Sequence, residues 1–303
     1  MSKSRWGIAR LSAGATAGAR TAIRLLLALI AAATVTARAR AQMQMDPFFT
    51  AINYPEPKGH GMLMFLPDFQ IARQGNDFIT EMGMAEYGLT SRWTAGMMTE
   101  GQKISGLPGT FGGFRFNTYF EVLPRNRWLH FTVYGEYEDL NAAALYKMEV
   151  SGFGGADLTG PLAVARRTPA HTFEQRAIVY HDWGRLNLTF NFISETNLQS
   201  WENDFGYAWG IYRQPAWMAM RGTARRAGPK IFSPKRVGWG VEMIGALGNA
   251  HHFGFDWRRE QQYAGPVFNY QISPHWSARL EPAFGLSAVS DPVVLRVGVG
   301  YSF

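Results

Sequence analysis

The sequence contains no cysteine in its 303 residues. This absence excludes disulfide bridges, thiolate metal sites and a lipid-modified cysteine at a mature N-terminus. Charged residues are sparse, at 17% of the chain, and the mean hydropathy of −0.16 is one that a soluble protein also shows. Composition alone therefore does not place the chain in a membrane.

Long apolar runs are absent from residues 42–303. A membrane-spanning helix needs about 20 consecutive apolar residues, so this region predicts no helical span. Strands of a membrane β-barrel escape such a search because half of their residues face the lumen. The 33 glycines and the 14% aromatic content favour strands and tight turns over a helical core.

The first 41 residues have the pattern of an export signal. Four arginines between residues 5 and 24 precede an apolar run over residues 25–35, which is too short to span a membrane as a helix. Ala39 and Ala41 flank Arg40 and form a small-x-small cleavage site. We expect cleavage before Gln42; an uncleaved anchor helix is the alternative.

Removing this segment changes the charge balance. The full chain has 30 basic and 23 acidic residues, and residues 1–41 hold seven of the basic residues and none of the acidic ones. The remaining chain is formally neutral, with 23 residues of each sign, so the pI near 9.7 belongs largely to the export signal. The charge gives no case for nucleic-acid binding.

Twelve later segments alternate apolar and polar residues, as strands with one apolar and one polar face do. In the clearest case, Leu186 and Leu188 alternate with Asn187 and Thr189. Residues 42–60 are expected to form an irregular periplasmic lead-in to a barrel over residues 61–303. The predicted strands cover residues 61–72, 77–88, 93–100, 111–123, 128–139, 172–180, 185–195, 205–213, 237–247, 262–272, 276–287 and 292–303.

The connections between these strands alternate in length. Short turns at 88–92, 124–127, 181–184 and 273–275 fall on one side of an up-and-down antiparallel barrel, and the long segments 140–170 and 248–260 fall on the other. Short periplasmic turns and long external loops are typical of outer-membrane barrels. Residues 214–236 break the rule, and an extra hairpin there would give fourteen strands. Whether 140–170 folds inward as a plug is left open.

Five tryptophans occur at one predicted level, at the connections predicted to be periplasmic. Tryptophan favours the headgroup level of a bilayer, since its ring is apolar and its N–H is polar. We therefore predict a membrane girdle; the alternative is the core of a soluble β-sandwich. The five are Trp93, Trp128, Trp183, Trp239 and Trp276.

The last strand, residues 292–303, ends on Phe303, with Tyr301 two residues before it. It resembles the closing strand of bacterial outer-membrane β-barrels. Segments 86–93 (EYGLTSRW), 182–188 (DWGRLNL) and 296–303 (RVGVGYSF) make the chain similar to porin-like and transporter-like members of that class. The resemblance implies a Gram-negative outer membrane, lipid and lipopolysaccharide as surroundings, and Tyr301 and Phe303 as the signal for the barrel-assembly machinery. It implies no substrate.

Charged residues on the predicted lumen face are the first candidates for function. They line a water-filled path that selects solutes by charge, or they pair across the lumen and close it. Our hypothesis is a narrow pore for passive diffusion of small solutes, with a closed barrel that docks a periplasmic or surface partner as the alternative. The candidates are Arg115, Glu121, Glu136, Glu138, Arg176, Glu195, Glu242, Arg279, Glu281 and Arg296.

Four tyrosines share that face and predict either a stacking rail for a ring-shaped solute or ordinary filling of the lumen. They are Tyr119, Tyr134, Tyr180 and Tyr212.

Methionines raise a more distant alternative, copper handling. Four pairs have the form Met-x-Met, and thioethers are soft ligands that suit Cu(I). Met43 and Met45 with His60 are the best-placed ligands. Met82 and Met84 are expected on the lipid side, where they have a packing role. No cofactor is predicted.

Catalysis is not predicted. A hydrolase needs a Ser or Thr nucleophile beside a His that is oriented by Asn or Asp, and no such signature occurs. The segment 213–236 carries seven basic residues and no acidic one. It would dock an acidic periplasmic partner, hold lipopolysaccharide phosphates if external, or be a solvated loop.

Overall fold

The computed structural model describes residues 48, 51, 55–73, 76–123, 128–141, 168–219 and 228–303. The predicted export signal lies outside these residues. The regular secondary structure of the described chain is almost all strand: β1 Gly61–Ile71, β2 Phe78–Gly88, β3 Trp93–Ile104, β4 Thr110–Leu123, β5 His130–Asn141, β6 Pro169–Trp183, β7 Leu186–Asn197, β8 Asn203–Arg213, β9 Val237–Asn249, β10 Gln262–Gln271, β11 Trp276–Gly285 and β12 Val293–Ser302.

Every strand pairs antiparallel with its neighbours in sequence, and β1 pairs with β12 to close a barrel. Met62 lies opposite Ser302 and Ile71 opposite Val293 across the closing seam. β1 begins and β12 ends at the same end of the barrel, which we call the terminal end. The predicted all-β fold, an up-and-down antiparallel barrel of twelve strands, is confirmed.

The connection from β8 to β9 carries two short 3₁₀ helices, Ala216–Ala219 and Pro234–Arg236, and no strand within residues 214–219 and 228–236. The fourteen-strand alternative is wrong, since β8 pairs directly with β9 in the closed sheet. Arg236 fixes this connection by donating from Nη1 to the carbonyls of Gln271 (3.0 Å) and Ile272 (2.6 Å). Within the described ranges, no helix is long and apolar enough to cross a membrane.

The two faces of the sheet have opposite chemistry. In β7, Asn187, Thr189 and Asn191 point inward and are fully buried, whereas Leu188 and Phe190 point outward and are 36% and 45% exposed. The arrangement is inverted relative to a soluble protein, whose large apolar side chains concentrate inside. The alternation fixes the register, because a one-residue slip would turn each carboxylate toward the exterior.

β2 is where the predicted faces are wrong. Met82 and Met84 share the alternation of Thr80 and Glu86, both buried, and therefore point inward rather than toward lipid. The opposite face exposes Glu81 and Tyr87. The prediction fails because neither face of β2 is strongly apolar. The apolar thioethers of Met82 and Met84 therefore favour the lipid side in the pattern, whereas the structure accommodates them in the lumen.

Candidate functional site in the barrel lumen

All ten charged residues predicted for the lumen lie on the inward-facing positions of their strands. Nine are buried, and the tenth, Arg176, has a side chain that is 10% exposed. β4 to β7 position the group around Arg115, Glu136 and Glu195, and β9, β11 and β12 position a second group around Glu242 and Arg296.

Sequence reasoning missed several inward carboxylates. Glu86, Glu100, Glu174 and Asp204 are buried on inward positions, and Asp68 is partly buried beside Arg296. The two-residue alternation contained the signal for each of them. The predicted faces of β2 are exchanged, which hides Glu86, and the predicted eighth strand starts at residue 205, one residue after Asp204.

The interior is strongly acidic as a result. Among the described strands, the buried carboxylates are Glu86, Glu100, Glu121, Glu136, Glu138, Glu174, Glu195, Asp204, Glu242 and Glu281, against the buried arginines Arg115, Arg279 and Arg296, with Arg176 as a nearly buried fourth. A cleft lined by one sign of charge between low-dielectric walls concentrates counter-ions. The excess of carboxylates over arginines therefore predicts a negative potential inside the barrel.

Arg115 is the centre of the first group. Its Nη2 lies 3.0 Å from Glu100 Oε2, its Nη1 lies 3.0 Å from Glu136 Oε1, and Nη1 also contacts Glu138. Thr172 donates to Glu138 Oε2 at 2.8 Å. One guanidinium thus holds three carboxylates, which leaves the cluster with an excess of negative charge.

A row of four carboxylates crosses the adjacent strands at one level. Glu136 lies opposite Glu174, Glu174 opposite Glu195, and Glu195 opposite Asp204. Arg176 donates to both oxygens of Glu174, at 2.6 and 3.1 Å. Like charges directly opposite each other destabilise a sheet, so the row needs positive charge nearby, part of which Arg115 and Arg176 supply.

The second group joins three strands. Arg296 Nε lies 3.4 Å from Asp68 Oδ2, and Arg296 Nη1 lies 3.8 Å from Glu281 Oε2. These contacts link β1, β12 and β11 across the seam that closes the barrel. Two of the charged residues predicted for the lumen, Glu281 and Arg296, therefore also stabilise the barrel wall.

The inward tyrosines line the same space. The rings of Tyr119 and Tyr134 stack at 5.7 Å, and Tyr180 stacks on His130 at 4.6 Å. Tyr180 donates to Glu121 Oε1 at 3.0 Å, and Tyr134 to Glu136 Oε2 at 2.6 Å. These hydroxyls hold the carboxylates in place, which supports the wall-filling role over a free stacking rail.

The lead-in before β1 departs from its expected periplasmic position at two residues. Phe48 and Ala51 are 2% and 1% exposed and pack with inward-facing residues of the barrel. Arg279 donates to the Phe48 carbonyl, and the Ala51 N–H donates to Glu242. The sequence carries no signal for the burial of these two residues, because no periodic pattern marks an irregular segment that lies inside a barrel.

The end of the lead-in lies against the terminal end of the barrel. Lys58 forms a parallel bridge with Gly88, the Gly59 N–H donates to the Gly88 carbonyl at 2.9 Å, and the Gly88 N–H donates to His60 O at 2.9 Å. Thr94 Oγ1 donates to Glu56 O at 3.4 Å. These bonds fix the point from which the chain turns into β1.

Methionines gather on one part of the inner wall. Met64, Met84 and Met98 lie opposite one another on β1, β2 and β3, with Met62 and Met82 two residues away on the same faces. Of the ligands preferred from sequence, Met43 and Met45 lie outside the described residues, and His60 directly precedes β1. Among described residues, no group of three His, Asp or Glu is arranged to hold a metal ion.

The five girdle tryptophans are exposed on the outer wall at the terminal end. Trp93 Nε1 donates to Thr118 Oγ1 at 2.7 Å, and the Trp276 ring lies 4.9 Å from that of Tyr301. Trp128, Trp183 and Trp239 complete the level. Segment 140–170, the possible plug, falls largely outside the described residues.

Comparison with known proteins supports the fold of this chain but shows no family for it. No family model and no curated protein matches the chain. Among solved structures, it resembles the KdgM porin in complex with disordered oligogalacturonate (TM-score 0.50, 9% identity, 80% of this chain and 99% of that one). It also resembles an outer membrane channel from Pseudomonas putida F1 (TM-score 0.51, 10% identity, 86% and 100%). The chain shares the barrel fold of these outer-membrane proteins.

Proposed function

We propose that the protein is a narrow outer-membrane channel through which small solutes diffuse passively, with a preference for cations. The observation that carries the proposal is the closed barrel with an apolar exterior and an acidic interior. No enzymatic step is part of the proposal, since the sequence carries no signature of a nucleophile beside its base.

The exterior supports a location within a bilayer. Phe65, Phe116, Phe190 and Phe268 are among many large apolar side chains exposed around the barrel, and a soluble monomer rarely exposes apolar patches of that size. Strands of 10 to 15 residues suffice to cross the hydrocarbon core. Export by residues 1–41, insertion by the barrel-assembly machinery through β12, and contact with lipid and lipopolysaccharide belong to this proposal.

The sign of the interior charge supports the choice of cations. The KdgM porin was solved with oligogalacturonate, whose uronate units carry carboxylates. An interior with ten buried carboxylates opposes such an anion, so we do not extend that ligand to this chain. The row formed by Glu136, Glu174, Glu195 and Asp204 supports a preference for small cations by its charge.

The test is single-channel recording of the full mature chain in a planar bilayer under a salt gradient. We expect discrete conductance steps and a reversal potential on the cation-selective side. Anion selectivity would refute the cation preference. Absence of any conductance would refute the channel and leave the docking scaffold, which the ion pairs of Arg115 and the internal position of Phe48 favour.

Soft-metal handling is a second candidate, favoured by the methionines on β1 to β3. Cross-strand neighbours lie about 5 Å apart, so three thioethers can converge on one Cu(I) or Ag(I) ion. Calorimetry with Ag(I) tests it, since the chain has no cysteine to compete. Replacing Met64, Met84 and Met98 by Leu should abolish one binding event, and the outward Met97→Leu should not. Equal binding by both variants excludes this site.

A further inference from the structure

The connection between β8 and β9 carries positive charge without a compensating acid. Residues 213–236 contain seven basic residues and no acidic one. Of the described members, Arg236 is buried, whereas Lys230 and Lys235 are exposed. In addition to its bonds to the end of β10, Arg236 donates from Nε and Nη2 to the Pro229 carbonyl, at 3.1 and 2.6 Å. Arg236 therefore fixes the fold of the connection, and the two lysines carry its exposed charge.

A tight turn over residues 230–233 presents two apolar side chains. The Ser233 N–H donates to the Lys230 carbonyl at 3.1 Å, and Ile231 and Phe232 between them are 68% and 93% exposed. Phe232 has a φ of 69°, in the left-handed region that glycine usually fills at this turn position and that bulky residues rarely adopt. A large apolar residue held in an unfavourable conformation at an exposed tip indicates a contact with something outside the chain.

The turn lies beside the outer wall of the barrel, at the level of the girdle. The Phe232 N–H donates to the Tyr270 hydroxyl at 3.2 Å. Tyr270 occupies an outward position of β10, two residues after the exposed Phe268. The strands on either side of β10 each carry a girdle tryptophan two residues from the position opposite Tyr270, Trp239 on β9 and Trp276 on β11. The turn therefore continues the girdle at the terminal end.

We propose that the turn over residues 230–235 is an interfacial anchor, which binds the anionic phospholipid surface at the terminal end of the barrel. Ile231 and Phe232 enter the boundary between acyl chains and headgroups, and Lys230 and Lys235 contact lipid phosphates. Segments that bind anionic membranes combine apolar side chains with lysines in this way. The inference rests on the proposed location in a bilayer. An acidic protein partner would explain the lysines but not an aromatic tip at the girdle level.

The experiment measures whether residue 231 enters a bilayer. The chain has no cysteine, so Ile231→Cys in the full mature chain carries a single environment-sensitive dye. In vesicles of phosphatidylcholine mixed equally with phosphatidylglycerol, we expect blue-shifted emission and quenching by spin-labelled lipid. Quenching should be weaker in phosphatidylcholine alone. Equal quenching in the two kinds of vesicle would refute the anionic headgroup as the ligand.

The lysines are tested in the same dye-labelled background. Adding Lys230→Gln and Lys235→Gln should lower the ratio of inserted to solvent-exposed dye by on the order of tenfold in the mixed vesicles, because each lysine near an anionic surface strengthens binding severalfold. Lys58→Gln is the matched control, since Lys58 is exposed at the same end of the barrel beside Gly88. An equal effect of the control would assign the change to overall charge and overturn the anchor.

Phe232→Gly separates the role of the ring from that of the turn. Glycine accepts the left-handed φ, so the denaturant midpoint of the barrel should be kept while the dye at residue 231 becomes solvent-exposed. Retained insertion would refute the anchor.

A dye at Phe116→Cys, outward near the middle of β4, is the reference for bilayer insertion. Quenching at 116 without quenching at 231 overturns only the anchor and favours an acidic protein partner. Absence of quenching at both positions overturns the bilayer location on which the proposed channel depends.

Discussion

Individual inward residues act in groups rather than alone. Arg115 contacts three carboxylates, so its positive charge is shared among Glu100, Glu136 and Glu138. Removing one member of a buried ion pair costs more than the pair contributes, because an uncompensated charge is left behind. Arg115 therefore stabilises the barrel and limits the negative charge of the lumen at the same time.

Arg115→Gln should have two effects with one cause. We expect a loss of about 3–5 kcal/mol in the free energy of unfolding, measured by urea titration in detergent micelles, together with stronger cation selectivity in bilayers. Arg213→Gln, at an exposed position on β8, serves as the control. Unchanged selectivity in a folded Arg115→Gln protein would show that this position does not line the conducting path.

The register of the strands sets the height in the barrel at which each inward charge lies. Antiparallel pairing of β5 to β8 brings Glu136, Glu174, Glu195 and Asp204 into one row although they are distant in sequence. β1 to β3 similarly bring Met64, Met84 and Met98 into another row. Each row depends on the register of its strands. A shift of one strand by one residue would turn that strand's member of the row to the outer face of the barrel.

Neutralising carboxylates of the row Glu136, Glu174, Glu195 and Asp204 should reduce cation selectivity while the protein still conducts. Glu174→Gln and Glu195→Gln keep size and hydrogen bonding and remove charge, so the reversal potential under a salt gradient should move toward zero. Glu202→Gln, in the exposed turn between β7 and β8, should leave it unchanged. An equal effect at all three positions would assign selectivity to overall charge rather than to the row.

In the proposed location, two solvents organise the whole molecule: lipid outside the barrel and water inside it. Lipid favours the exposed apolar exterior, and the lumen holds the charged groups that lipid would exclude. Closure of β1 on β12 satisfies the last strand edges, which an apolar surrounding requires. The tryptophans at the terminal end fit the boundary between these surroundings.

Phe116→Arg tests this two-solvent organisation. Phe116 lies near the middle of β4 and faces outward, so an arginine there should cost about 2–4 kcal/mol of folding free energy in lipid vesicles. Phe232→Arg, at a highly exposed position between β8 and β9, should cost much less. Equal costs measured by denaturant titration would argue against lipid contact at Phe116.

Local alternation was enough to predict the strands, because each strand carries its own two-sided pattern. β7 was predicted over 185–195 and extends over Leu186–Asn197. The pattern failed on β2, where both faces are mixed, and Met82 and Met84 were assigned to the wrong side. The predicted eighth strand begins at residue 205, one residue past Asp204, so the prediction leaves this buried carboxylate out.

The sequence by itself determined the all-β antiparallel barrel and its twelve strands as predicted segments, since a two-residue period is a local property that each segment displays independently. The pairing of β8 with β9 then excluded a fourteen-strand barrel. Only the tertiary structure decided which carboxylates share a level, that methionines of three strands meet, and that Phe48 lies on Gly210 inside the lumen. These facts depend on register and on contacts between residues far apart in the chain, and neither is encoded in the pattern of any single segment.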